Sequence, residues 1–449
     1  MPMSSEQQYI SLYRQCRDII CDHSAGVLND VRDEAFRHFL DKGFASRKEE
    51  RYRYTDMQQV FQPDYGLNLN RLEIPVNPYD SFRCDVPSLS TSLYFVVNDA
   101  FHSKSLPKSH LPEGVVVGSL RDAAVATPAL VAQYYARQAR TDADGVTALN
   151  TMLAQDGLFV YVPRGVKVER TIQVINILRA DVDLMVNRRV LIVLEEDAEV
   201  KLLFCDHAAD DRHFLATQVI EAYVGVNASL ELYCLEETHN KSTRVSNLYV
   251  EQQAGSQLSH NVITLHNGVT RNRTDVVLRG EGASCRLNGC AVSDKTQHVD
   301  NNTLIDHAAP GGTSHERYKY VLDDSATGAF AGKVLVRHGA QQTESVMTNQ
   351  NLCATKQARM FTQPMLEIYA DDVKCAHGST VGQLNDAALF YMQQRGISRR
   401  EALHLLQAAF IYEVIDEITL IPLRDRLRYL VDKRLRGELN KCDGCKLCQ

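Results

Sequence analysis

Cys375 and His377 stand two residues apart at the end of a strand-like run that begins at Leu366. In an extended chain, residues i and i+2 point to one face, so this thiol and imidazole can act on the same atom. A soft thiolate beside an imidazole suits zinc, copper or iron–sulfur ligation, and equally an activated nucleophile. Gly378 follows at once, where backbone or a ligand can approach closely. The spacing alone also fits a purely structural pair. A second group lies in the tail, where Cys442, Cys445 and Cys448 form a C-x2-C-x2-C run around Gly444. Three such thiols can ligate an iron–sulfur cluster or zinc but lack a fourth ligand, and an unconstrained tail fits them as well.

Other catalytic signatures are missing from the 449 residues. There is no Walker A loop, no G-x-G-x-x-G, no H-E-x-x-H and no G-x-S-x-G elbow. Asp323-Asp324 and Asp371-Asp372 point to opposite faces if extended, so neither pair forms a carboxylate dyad. The expectation is a chain that is not itself an enzyme.

A net charge of −7 argues against nucleic acid as a partner. The late cations, Arg399, Arg400, Arg424, Arg426, Arg428, Lys433, Arg434 and Arg436, are interleaved with acids and read as a solvated helix face. The opening MPMSSEQQYISLYRQ has no apolar core or cleavage site, and runs such as Val190 to Leu194 are too short for a bilayer. Twelve cysteines without an export signal read as reduced thiols, which implies a cytoplasmic protein away from membranes. Cys16, Cys84, Cys205, Cys234 and Cys353 are isolated and read as small buried hydrophobes.

The elements that must position these groups fall into three regions. Residues 1–110 start helical, with Val31, Ala35, Phe36, Phe39 and Leu40 at helical spacing and Gly43 as C-cap, then turn irregular through Pro63, Pro75, Pro78, Pro87 and Pro107. Across 111–382 helical period disappears and short β-runs alternate with Gly, Asn and Asp turns. A weak repeat runs through them. Asp197-Ala198-Glu199-Val200 is echoed at Asn227-Ala228-Ser229-Leu230, Gly255-Ser256-Gln257-Leu258 and Gly282-Ala283-Ser284-Cys285, in steps of 30, 28 and 27. Leu230, Leu232 and Cys234 then form an inward set. Such a period points to stacked coils of a few short strands, with a β-sandwich as the alternative. Residues 383–449 return to helix. Asn385 caps the first, Ser398-Arg399-Arg400-Glu401 is a capping box, and Leu405, Leu406, Ala409, Phe410 and Ile418 give the second its stripe. Pro422 opens a third helix, with Leu423, Leu427, Leu430 and Val431 on its face.

The stretch Leu366-Glu367-Ile368, Ala370-Asp371-Asp372-Val373, Cys375, His377-Gly378, Thr380, Gly382, Leu384, Leu389-Phe390-Tyr391 and Arg395-Gly396-Ile397 resembles the SufB/SufD family of the Suf iron–sulfur assembly machinery. It lies closer to the SufD side, since SufB typically carries His-Glu-Ala where this chain has His377-Gly378-Ser379. Val299-Asp300, His307, Ser314, Tyr318-Lys319 and Phe330-Ala331-Gly332-Lys333-Val334 extend the similarity upstream. Gly43-Phe44, Glu49 and Tyr52-Arg53-Tyr54-Thr55 extend it to the start. Ala376, Ser379, Glu344 and Cys353 depart from the family pattern, and the cysteine tail is not a general part of it. The resemblance implies a mostly β fold, a right-handed parallel β-helix flanked by N- and C-terminal helical regions. It further implies a scaffold that pairs with a SufB-like subunit and docks a SufC-like ATPase through its C-terminal helices. A transient iron–sulfur cluster would form at the SufB interface with His377, and Cys375 beside it, contributed by this chain; ATP would be used by the partner. A homodimeric platform and a β-helix polysaccharide-active enzyme are the alternatives.

Overall fold

The computed structural model describes residues 5–74, 92–103 and 111–438, together with Pro78. From Ile172 to Gly382 the chain alternates strand by strand between two sheets, and every neighbour within a sheet is parallel. One sheet stacks Glu199–Ala208, Ser229–Glu237, Gln257–His266, Ser284–Ser293, Thr313–Leu322, Thr343–Cys353 and Val373–Gly382. The other stacks Leu184–Leu194, Phe214–Val224, Ser242–Gln252, Val269–Leu278, His298–His307, Thr327–Val336 and Arg359–Ile368. Each coil therefore gives one strand to each sheet, which is a parallel β-helix and not a sandwich of antiparallel sheets. These strands, typically ten residues long, exceed the short strands expected.

The repeat is the coil itself. Asp197, Asn227, Gly255 and Gly282 all turn with positive φ, between 55° and 68°. Only Gly, Asn and Asp take that conformation cheaply. The small residue after each, Ala198, Ala228, Ser256 or Ala283, is fully buried under the stack. The next residues, Glu199, Ser229, Gln257 and Ser284, are direct ladder partners.

Alternation then sorts the side chains. Leu230, Leu232 and Cys234 point into the helix lumen, while Tyr233 and Leu235 point out. Part of the lumen is charged. Arg188 donates to Asp206 at 2.6 Å, and Arg244 bridges Asp206 at 3.2 Å and Glu236 at 3.1 Å. The network continues from Arg244 to Asn272, from Asn272 to Asn301, and from Asn301 to the Tyr320 hydroxyl.

The expected loss of helical period from residue 111 fails over one segment. Leu120–Ala126, Pro128–Tyr134 and Gly145–Leu153 are helices. Every residue of the last is buried, between the helix Arg32–Lys42 and the strands at Leu184 and Phe214. A helix covered on all sides has no polar face and so shows no period to read. Gly43 ends Arg32–Lys42 at φ 61°, as expected of a C-cap.

Residues 46–55, within the region read as irregular, lie across the outside of the second sheet. Arg51 pairs with Asp275, Arg271 stacks on the Tyr52 ring at 4.1 Å, and Thr55 donates to Asp300 at 2.5 Å. At the far end Tyr54 stacks on Phe361 at 5.0 Å and Gln363 donates to Glu50 at 2.9 Å. This strap therefore reaches the last coil.

The C-terminal helices are Asp386–Gln394, Arg399–Ile415 and Ile421–Arg436. Asn385 caps the first as expected. Ser398 accepts from the Glu401 amide at 3.2 Å, but the Glu401 carboxylate is taken by Arg436, so only half of the capping box forms. The last two helices lie on the first sheet, where Ile411, Val414, Leu427 and Leu430 meet Tyr233, Leu235, Ile263 and Val292. Lys319 donates to Glu413 at 2.5 Å, and Arg434 clamps Asp294 with two bonds of 2.8 Å. The stripe read for the second helix is corrected. Its buried face is Ala402, Ala408, Ile411, Val414 and Ile415, while Leu405 is 40% exposed. The sheet, not the most apolar residues, decides which face is covered.

Candidate rim site of the last coil

Among the described residues, Arg359–Ile368 and Val373–Gly382 each have a hydrogen-bonded neighbour on one side only. The other edge of both strands is open. Cys375 sits opposite Ser345 and His377 opposite Met347, so both share the lumen face at this open end. Cys375 is half-buried against the lumen core and His377 is exposed. Burial pushes the Cys375 thiol up, and a hydrogen bond involving the Ser345 backbone opposes that. The thiol thus rests protonated until something displaces its proton, as a metal ion does.

Behind the rim, Ser345 accepts from Ser314 at 2.8 Å, and Ser314 lies 2.9 Å from His307 Nε2. That row fixes the ladder partner of Cys375. On the outer face of the same strand pair, Glu344 and Lys374 form an ion pair at 2.8 Å. Exposed apolar side chains surround the open end, among them Val346, Phe361, Ile368, Tyr369 and Val381. The sequence reading missed this apolar rim. Its signal, apolar residues continuing on both faces of the last two strands, looks like a buried strand when read along the chain.

Several other motif residues turn out to hold the scaffold. Asp300 anchors the strap through Thr55, and Lys319 anchors a C-terminal helix. A Cβ on Gly332 would lie 2.7 Å from the Met347 sulfur. Cys442, Cys445 and Cys448 fall outside the described residues. Among the described residues no group of three or more His, Cys, Asp or Glu side chains is arranged to hold a metal ion. Cys375 and His377 are a soft and a borderline donor set on one face of the last strand.

Residues 3–174 match the family described as the SufBD protein N-terminal region. Residues 177–410 match the SUF system FeS cluster assembly SufBD core domain. The iron–sulfur cluster assembly protein SufD of Escherichia coli is 28% identical over 412 residues, covering 89% of this chain and 92% of its own. An iron–sulfur cluster assembly SufBD family protein of Synechocystis is 26% identical over 86% of this chain and 87% of its own. SufD of Bacillus subtilis is 24% identical over 78% and 81%.

Proposed function

Because this chain belongs to the SufBD family of the SUF iron–sulfur cluster assembly system, we propose that it is a non-catalytic scaffold subunit whose open last coil pairs with a SufB-like subunit. The observation that carries this reading is the unpaired rim bearing Cys375 and His377 on one face. Two open strand edges ringed by apolar side chains are a template for another chain's strands. Coils laid against them would bring the missing ligands and enclose a nascent cluster.

His377 is the principal ligand in this reading. A neutral imidazole holds iron less tightly than a thiolate does, which suits a cluster that must later leave. Cys375 serves beside it, or only packs the lumen. With His377→Ala the chain should fold and pair normally, while iron and acid-labile sulfide recovered with the complex fall several-fold. Unchanged recovery would sink the ligand role and leave a structural one.

The energy for rearrangement would come from a SufC-like ATPase docked on the C-terminal helices, with both partners in the cytoplasm. Phe390 and Tyr391 on the first of these helices are 64% and 60% exposed, and Ile421 and Tyr429 on the third are exposed as well. Removing 383–449 outright would bare the first sheet's apolar face, so it is a poor test. Replacing Phe390 and Tyr391 together by Asp should abolish co-purification of the ATPase and leave SufB pairing and the melting temperature nearly unchanged. Retained ATPase would place its dock elsewhere.

A further inference from the structure

The last two helices cover only part of the first sheet's outer face. A groove of about 240 Å³ stays open over the first residues of four neighbouring strands, Ser229–Glu237 through Thr313–Leu322, against Thr419 in the turn between those helices. Leu230, Leu258 and Cys285 point into the lumen, so the residues on either side of each point out. The ladders then place Glu231, Ser259, Arg286 and His315 in one row, with Ser284 and Thr313 beside the last two. We propose that this groove binds a phosphorylated polyol, with its phosphate at Arg286 and His315 and its hydroxyl-bearing stem along Ser259 and Thr419.

Charge marks the phosphate end. The other ions around the groove are already matched. Glu231 takes Lys201 at 2.9 Å and the Thr419 hydroxyl at 2.6 Å. Arg317 holds Glu417 at 3.0 Å, and Glu344, the ladder partner of Thr313, holds Lys374 at 2.8 Å. Arg286 and His315 are exposed ladder partners, and among the described residues neither has an ion pair or a side-chain hydrogen bond. Adjacent strands lie ~4.8 Å apart, so both side chains reach one tetrahedral anion. A guanidinium presents a fork to two phosphate oxygens. The His315 ring N–H and the hydroxyls of Ser284 and Thr313 are left for the third.

The chemistry changes along the groove. Towards Ser229–Glu237 the lining turns to Ser229, Gln257, Ser259 and Thr419, which both donate and accept, beside the Glu231 carboxylate. That carboxylate would repel a second phosphate, whereas the hydroxyls of a sugar or glycerol find partners there. The groove is also roomier than a bare phosphate fills. It lies on the outer face and stops two strands short of Val373–Gly382, so it stands apart from the rim site and from any reading of it.

The test is calorimetric titration of the full chain at low salt with glucose 6-phosphate, ribose 5-phosphate and glycerol 3-phosphate, compared with inorganic phosphate and glucose. At least one ester should saturate a single site and bind about tenfold tighter than inorganic phosphate, while glucose does not bind. Arg286→Gln should weaken that ester about tenfold or more, and His315→Gln several-fold. Neither change should move the melting temperature, because neither side chain is paired within the described chain. Ser259→Ala should weaken the ester and leave the affinity for inorganic phosphate alone, which marks the stem. No saturation by any ester at about 10 mM, equal affinity for ester and inorganic phosphate, or unchanged binding in Arg286→Gln would each overturn the proposal.

Discussion

Replacing Arg244 by alanine is expected to lower folding stability by about 3–5 kcal/mol, the usual cost of breaking a buried ion pair from one side. Arg244 is 4% exposed and lies between two buried acids, Asp206 and Glu236. Burial pushes its guanidinium down, but Glu236 and Asp206 outweigh that and hold it charged. Without it, Asp206 keeps Arg188 as a partner while Glu236 keeps only hydroxyl donors such as Thr270. Burial already pushes the Glu236 carboxyl up, so it would take up a proton and recover part of the loss. Urea unfolding at neutral pH gives the number. The double change Arg244→Met, Glu236→Gln should recover much of the stability, because it removes both charges along with their desolvation cost and leaves Asp206 paired with Arg188. A loss below about 1 kcal/mol for the single change would mean that water reaches this part of the lumen.

Acid should destabilise the chain well above the pH at which carboxylates titrate. Burial depresses His260 to about 3, and His266 and His307 to about 4. In the unfolded chain each binds a proton near its ordinary value of 6.5, and in the native state none does until far lower. Below pH ~6.5 the unfolded state therefore binds more protons, so stability falls as pH falls. Glu316 works in the opposite sense. Burial raises its carboxyl to about 8, so the native state already holds a proton that the unfolded chain takes up only near 4.5. Between pH 6.5 and 4.5 the three histidines outnumber this acid by about two protons, or ~2.7 kcal/mol per pH unit. The urea midpoint should thus drop steeply from pH 7 to pH 5. His307→Gln should flatten the slope, while a midpoint that holds or rises would contradict the burial assigned to these rings.

The coil was legible because one side of each turn needs a left-handed residue, and only Asp197, Asn227, Gly255 and Gly282 and their like satisfy that. Cys375 and His377 were legible as a pair for the same geometric reason, the two-residue period of a strand. The charged lumen was not. Arg188 sits between Asn187 and Arg189, Asp206 between Cys205 and His207, and Arg244 between Thr243 and Val245, so their flanks do not mark a side, and only the two ladders show that theirs is the inner one. Gly145–Leu153 was missed because complete burial erases its period. The second C-terminal helix was found, but its covered face was misjudged, since it is selected by a strand distant in the chain, Thr313–Leu322, whose Lys319 reaches Glu413 across 94 residues.

The strap gives the molecule a way to register its own completion. A stack of coils is a nearest-neighbour object, and its last member would ordinarily fray first. Here the stacking partner of Tyr54 and the donor to Glu50 both belong to Arg359–Ile368 in that last coil, more than three hundred residues later in the chain. During synthesis the early segment must wait, with its aromatic ring uncovered, until the final turn has emerged and wound into place. Closing so long a loop costs only slightly more than closing a short one, because the entropy grows with the logarithm of length. A nascent chain cut short before Phe361 would have every earlier coil and still lack this clasp, leaving quality-control machinery an unlatched end to find.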